Sequence, residues 1–161
     1  MTGLLARLFA FGPPRLDEAG ARDAPAFAVL HATSFHRGWS EDEMERLLLD
    51  PAVIAHKVAL GRRVVGFILS RRVADEAEIL SVAVDGQRRG HGLARALLDL
   101  NLRRLAGLGV RRVFLEVDER NVPARRLYAR AGFAEVGRRQ GYYATASGEP
   151  SAALVLRRDL P

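Results

Sequence analysis

The chain contains no cysteine. That excludes a disulfide framework, a thiolate metal centre and a covalent cysteine mechanism, and it removes any need for an oxidising compartment. Lysine is almost as scarce: among 25 basic residues, Lys57 is the only lysine. No apolar run approaches the roughly 20 residues that a membrane-spanning helix needs. The opening segment Met1–Gly12 is apolar, but Arg7 interrupts it, no basic stretch precedes it and Pro13-Pro14 ends it. It reads as an N-terminal extension, not as an export signal. Thr2 departs from the myristoylation pattern. His31, His36, His56 and His91 lack metal-ligand spacing, so no metal is expected. The arginine doublets are spread over many elements without interleaved aromatics, and direct nucleic-acid binding is not expected. A cytoplasmic protein with no membrane partner is the resulting expectation.

What the chain does have is enough apolar material for one core. Its 161 residues, 48% of them apolar, suit a single domain. At this size about two thirds of the unfolded surface can be buried. Residues 1–13 are expected as the extension and 14–161 as the domain. Helical spacing runs over Ala24–Ser34, with Asp23 as its expected N-cap. Ser40-Glu41-Asp42-Glu43 has the pattern of a capping box ahead of a second short helix, which stops before Pro51. Val53–Leu60, Val64–Val73 and Glu78–Val84 read as three strands of an antiparallel meander. Gly92 to about Ala106 returns to helical period, Val113–Val117 is an apolar strand, and Asn121 caps a helix to about Arg130. Ala134–Tyr143 and Ala152–Arg157 close the chain as strands around a turn at 147–150. The expected class is α/β, with helices on both faces of a mixed, mostly antiparallel sheet.

Chemistry concentrates where the strand ending at Val84 meets the next helix. The segment Ser81-Val-Ala-Val-Asp-Gly-Gln-Arg-Arg-Gly-His-Gly-Leu-Ala-Arg is a strand, a basic glycine turn and a helix start in succession. Such a turn offers free backbone N–H groups beside the positive end of a helix, which suits a phosphate, although a glycine pair can also be plain turn chemistry. It is not the dinucleotide fingerprint, because Arg95 stands where the third glycine belongs. The Gly-Lys-Ser/Thr ending of a P-loop is missing as well.

Arg89-x-x-Gly92-x-Ala94 resembles the acetyl-CoA signature of the GNAT acetyltransferase superfamily. Within it the chain looks most like the bacterial ribosomal-protein-alanine N-acetyltransferases. Phe35-His-Arg-Gly-Trp-Ser40, Leu115-Glu-Val117, Asn121, Leu127-Tyr128 and Ala131-Gly-Phe133 follow in that family's order and spacing, and the likeness covers about 14–158. It implies a single-domain GNAT fold that transfers acetyl from acetyl-CoA, bound as co-substrate, to a primary amine. The preferred acceptor is the N-terminal α-amine of a protein such as an alanine-starting ribosomal protein. A small amine metabolite or antibiotic is the alternative acceptor, and a non-catalytic CoA-binding module the alternative class.

The resemblance also implies roles. Backbone groups of Val82, Ala83 and Val84 would pair with the pantetheine arm as an added strand. Arg89 and the amides of Gly90, His91, Gly92, Leu93, Ala94 and Arg95 would hold the pyrophosphate. Asn121 would touch the cofactor near its reactive end, or serve only as a helix cap. Glu116 would be the general base; strand alternation could equally turn it to solvent. Tyr128 would protonate the departing thiolate, or simply cover the core. An α-amine with a pKa of about 7.7–8.0 asks less of a base than a lysine amine near 10.4. Trp39, Tyr142 and Tyr143 are candidates for the acceptor groove, with packing on the second helix as the other reading of Trp39. Alternation lets only one of the two adjacent tyrosines face a cleft. Gly38 and Gly86 stand where the family commonly has proline, which suggests a looser acceptor loop.

Overall fold

Backbone donors that a helix start leaves exposed decide where the first helices begin. In the computed structural model, which describes residues 12–35, 37–143 and 150–161 but not the side chains of Tyr142 and Tyr143, helix α1 spans Ala24–Ser34 and α2 spans Glu41–Leu49. The Ser40 hydroxyl accepts from the Glu43 N–H at 3.1 Å and the Glu43 carboxylate accepts from the Ser40 N–H at 2.7 Å. This is the capping box that the spacing predicts. Asp23 does not cap α1 as expected. It closes a preceding 3-10 turn, Ala21–Asp23, already has helical dihedrals, and makes no side-chain cap bond. Its carboxylate accepts instead from the Gly20 N–H at 2.9 Å and from Lys57 Nζ at 2.8 Å.

Seven strands follow one another across a single sheet in the order β1-β2-β3-β4-β5-β7-β6. They are β1 (Arg15–Glu18), β2 (Val53–Leu60), β3 (Arg63–Val73), β4 (Glu76–Val84), β5 (Arg112–Asp118), β6 (Ala134–Tyr143) and β7 (Ser151–Asp159), with helices α3 (Leu93–Gly107) and α4 (Val122–Arg130) placed after β4 and β5. The meander of β2, β3 and β4 is antiparallel, as its turn signals predict. Strand β1 was not expected, because Arg15-Leu-Asp-Glu18 has a single apolar residue; it forms by pairing along the edge of β2. Among the described residues, only β4 and β5 run parallel.

Two apolar cores sandwich the sheet. Leu97, Leu98 and Leu105 of α3 pack on Val58, Ile68, Leu115 and Val117 from one face. Phe27 and Leu30 of α1 and Met44 of α2 pack on Phe67, Leu69 and Ala83 from the other. The Phe27 and Phe67 rings stack at 4.5 Å. The chain's one lysine lies under the second face: Lys57 and Asp23 are 8% and 7% exposed and form an ion pair. Removing one partner leaves a buried charge alone, which costs about 3–5 kcal/mol. Asp23→Ala is therefore expected to lower unfolding free energy by about that amount in denaturant titration. Asp17→Ala, which breaks an exposed pair with Arg15, should change it by about 1 kcal/mol or less.

Candidate active site

Strands β4 and β5 pair only through Glu76↔Arg112, Ala77↔Val113 and Glu78↔Phe114. Beyond that point each continues with a partner on its outer side alone: β4 with β3 as far as Val84↔Gly66, β5 with β7 as far as Asp118↔Ala153. A bulge marks the point of parting. Leu69 pairs with Ser81 and Ser70 with Ile79, so Leu80 has no opposite residue, and an extra residue of this kind bends and twists a strand. The inner edges thus diverge into a gap whose backbone groups lack a ladder. The Asp85 N–H donates to the Val65 carbonyl at 2.8 Å. By strand alternation the backbone groups of Ala83 turn to β3 and those of Val82 and Val84 turn into the gap. The Ser81 Oγ is the one side-chain polar atom among the described residues that is sealed without a hydrogen-bond partner.

The glycine turn closes one end of the gap. Asp85 accepts from the Gln87 N–H at 3.0 Å and starts the 3-10 turn Gly86–Arg88. Gly90 and Gly92 then take φ values of +80° and +77°, a region open to glycine and costly for other residues. Gly92 is the N-cap of α3 and supplies no side-chain acceptor. The first bond of that helix runs from the Ala96 N–H to the Gly92 carbonyl. The amides of Leu93, Ala94 and Arg95 are left without intrahelical acceptors at the positive end of the helix. His91 is exposed in this turn. Of the nearby cations, Arg95 is paired with Asp99 at 3.0 Å. Arg89 reaches the Val84 carbonyl at 3.3 Å and Ser34 Oγ, at the end of α1, at 3.4 Å.

Glu116 and Tyr128 lie on opposite faces of the sheet. On β5, Val113, Leu115 and Val117 are buried against α3, so alternation turns Glu116 to the face that carries α1 and α2. Its side chain is 26% exposed, and its carboxylate is paired with Arg139, which reaches it from β6 across β7. Tyr128 of α4 is 8% exposed in the core on the other face, edge-on to Phe133 at 5.7 Å. Burial pushes its phenol up to about 12. The hydroxyl takes no hydrogen bond from the described residues, yet it is not sealed from solvent. Asn121 is exposed and caps α4, its Oδ1 accepting from the Ala124 N–H at 3.2 Å; that leaves its side-chain N–H groups available.

The remaining candidates divide. Trp39 is half-buried, stacks on His31 of α1 at 4.2 Å and, like Leu47 and Leu48 of α2, packs against the core that holds Phe27 and Met44. The side chains of Tyr142 and Tyr143 lie outside what the structure describes. At Gly38 the chain passes close to α1, where a Cβ would stand 3.0 Å from the Ala32 Cα. Sequence reasoning missed Arg139, because register shifts on either side of it in β6 defeat simple alternation. It also passed over His31, although Phe35 and Trp39 follow it at helical spacing.

Residues 24–133 match the acetyltransferase (GNAT) family. The chain belongs to that family of acetyl-CoA-dependent acyltransferases. It is 35% identical over 99 residues to the ribosomal protein bS18-alanine N-acetyltransferase of Salmonella typhimurium, a match spanning 62% of this chain and 67% of that one. It is 33% identical over 122 residues to a mycothiol acetyltransferase of Clavibacter michiganensis, across 70% of this chain and 40% of the relative. The crystal structure of the Escherichia coli ribosomal-protein-S18-alanine N-acetyltransferase superposes with a TM-score of 0.85 at 26% identity, over 91% of this chain and 94% of that one.

Alkaline titration followed by ultraviolet absorbance tests the Tyr128 environment. Tyr128 should ionise in a late step, at about 12, and Tyr128→Phe should remove that step. A Tyr128→Phe protein that retains the late step would contradict this burial.

Proposed function

We propose that this chain transfers the acetyl group of acetyl-CoA to the N-terminal α-amine of a protein, an alanine-starting ribosomal protein being the preferred acceptor, in the cytoplasm. The observation that carries this reading is the parting of β4 and β5 with a carboxylate on one side and a phenol on the other. Backbone groups of Val82 and Val84 hold the pantetheine amides as a strand would. The amides from Gly90 to Arg95 hold the pyrophosphate, with Arg89 leaving the Val84 carbonyl to join them. The thioester then lies between Glu116 and Tyr128, near Asn121.

The acceptor amine comes from the α1–α2 face. Glu116 takes its proton, directly or through one water, as the nitrogen attacks the thioester carbon. The C–N bond forms and the C–S bond breaks. Arg139 beside the carboxylate disfavours an ammonium there, which suits an α-amine of pKa about 7.7–8.0 far better than a lysine near 10.4. Tyr128 donates its O–H to the departing sulfur. A phenol at about 12 is a weaker acid than an ordinary thiol at about 8.5, so its main work is to stabilise the thiolate by hydrogen bonding. The proton lost through Glu116 balances the thiol that leaves.

A mycothiol acetyltransferase among the relatives supports a second reading, a small-molecule amine as acceptor. Both are tested by measuring CoA release with alanine-starting peptides, their N-blocked forms and free amines. The expected result is turnover on the free peptide N-terminus only, with Glu116→Gln and Tyr128→Phe each lowering kcat by about a hundredfold or more. Equal turnover on free small amines would replace the acceptor assignment. Binding of acetyl-CoA with no transfer to any amine would remove the enzymatic reading.

A further inference from the structure

His31 takes no part in the chemistry above, yet it is 4% exposed and organises the segment that joins α1 to α2. Its ring lies between Phe35 and Trp39, with centroids at 4.3 and 4.2 Å and planes within 23° and 12° of parallel. The Trp39 backbone N–H donates to His31 Nδ1 at 2.9 Å. An imidazole nitrogen that accepts in this way carries no proton, so the neutral tautomer with its proton on Nε2 is required. Two more contacts fix the same segment: Gly38 packs closely on α1, where a Cβ would stand 3.0 Å from the Ala32 Cα, and the capping box at Ser40 begins α2 immediately after Trp39. Arg89 joins the end of α1, through Ser34, to the carboxyl end of β4. The segment that His31 holds is therefore anchored beside the mouth of the gap.

We propose that His31 is a positioning residue for the acceptor: by accepting the Trp39 N–H between two aromatic faces, it fixes the α1–α2 connection as one wall of the acceptor groove. This rests on the reading that the amine comes from the α1–α2 face. Protonation would place a donor on Nδ1 against the Trp39 N–H and open the wall. The surroundings favour the neutral ring. Residues 24–34 of α1 include no titratable side chain besides His31, and the strands beneath present Phe67, Leu69 and Ala83 and Lys57, which is paired with Asp23. Glu43 of α2 is the one charged group acting to raise its pKa, and burial outweighs it, leaving the pKa below the usual 6.5. Glu43 itself is engaged by the Ser40 N–H at 2.7 Å and by Arg37 at 3.9 Å. Because the folded value lies below the unfolded one, the hold is complete above about pH 6.5 and is lost as pH falls through the folded value.

Trp39 is the only tryptophan, so its fluorescence reports on this contact without any assay of acetyl transfer. The native protein should show one fluorescence step below about pH 6.5, absent in His31→Asn, whose Oδ1 can accept the same N–H without titrating. In peptide kinetics at neutral pH, His31→Leu should raise the acceptor KM about fivefold, the worth of one hydrogen bond, with acetyl-CoA KM unchanged. His31→Asn should restore most of that loss. The ratio of native to His31→Asn acceptor KM, which cancels protonation of the amine, should rise as pH falls. The proposal is overturned by a step that persists in His31→Asn, by the absence of a step, or by an unchanged acceptor KM in His31→Leu. A step accompanied by no acetylation of any peptide amine would overturn the positioning role together with the acceptor reading. The surviving step would distinguish that failure from failure of the contact itself.

Discussion

A parallel pair of strands that stops pairing partway governs this molecule. Backbone N–H and C=O groups are costly to leave unmatched, and here β4 and β5 each keep their outer neighbour while giving up the inner one. The bulge at Leu80 supplies the bend, and the two helices that follow the parted strands begin at the same end of the sheet. That is where ligands bind in open α/β sheets, outside the carboxyl ends of parallel strands. The parted strands thus leave a slot edged by unpaired strand backbone, with the N-terminus of α3 following at its carboxyl end.

Charge is distributed to fit this frame. The single lysine is spent inside the fold on Asp23, so the only amine borne by a side chain is held in a buried pair. Arginines do the work at the surface, and many of them hold carboxylates: Arg95 with Asp99, Arg138 with Glu119, Arg139 with Glu116. Exposed pairs of this kind add little stability. Their value here is placement, since Arg139 fixes the carboxylate at the gap and Arg138 with Glu119 ties β6 to the end of β5. The formal +6 is thus a surplus over a set of pairs and not a uniform basic surface.

Much of this was legible in the residues. The capping box at Ser40, the meander, the glycine turn after Val84 and the Asn121 cap each rest on local chemistry, and each formed as its spacing predicts. Glu116 stayed open between a base and a solvent-facing residue, because strand alternation alone does not separate the two. What stayed hidden depended on distant partners. Asp23 had the right spacing for a cap, but Lys57 lies 34 positions away and draws its carboxylate elsewhere. Strand β1 exists through the edge of β2, and Arg139 meets Glu116 only because bulges in β6 shift its register. His31 looked like an isolated histidine until Trp39 folded back over it.

In the proposed function the pantetheine arm fills the missing rungs between β4 and β5. Amide hydrogen exchange, followed residue by residue with and without acetyl-CoA, tests it most directly. The amides of Val82 and Val84 and those from Gly90 to Arg95 should exchange more slowly with acetyl-CoA bound, while those of β1 and β2 stay unchanged. Saturating acetyl-CoA that leaves Val82 and Val84 unprotected would contradict the account.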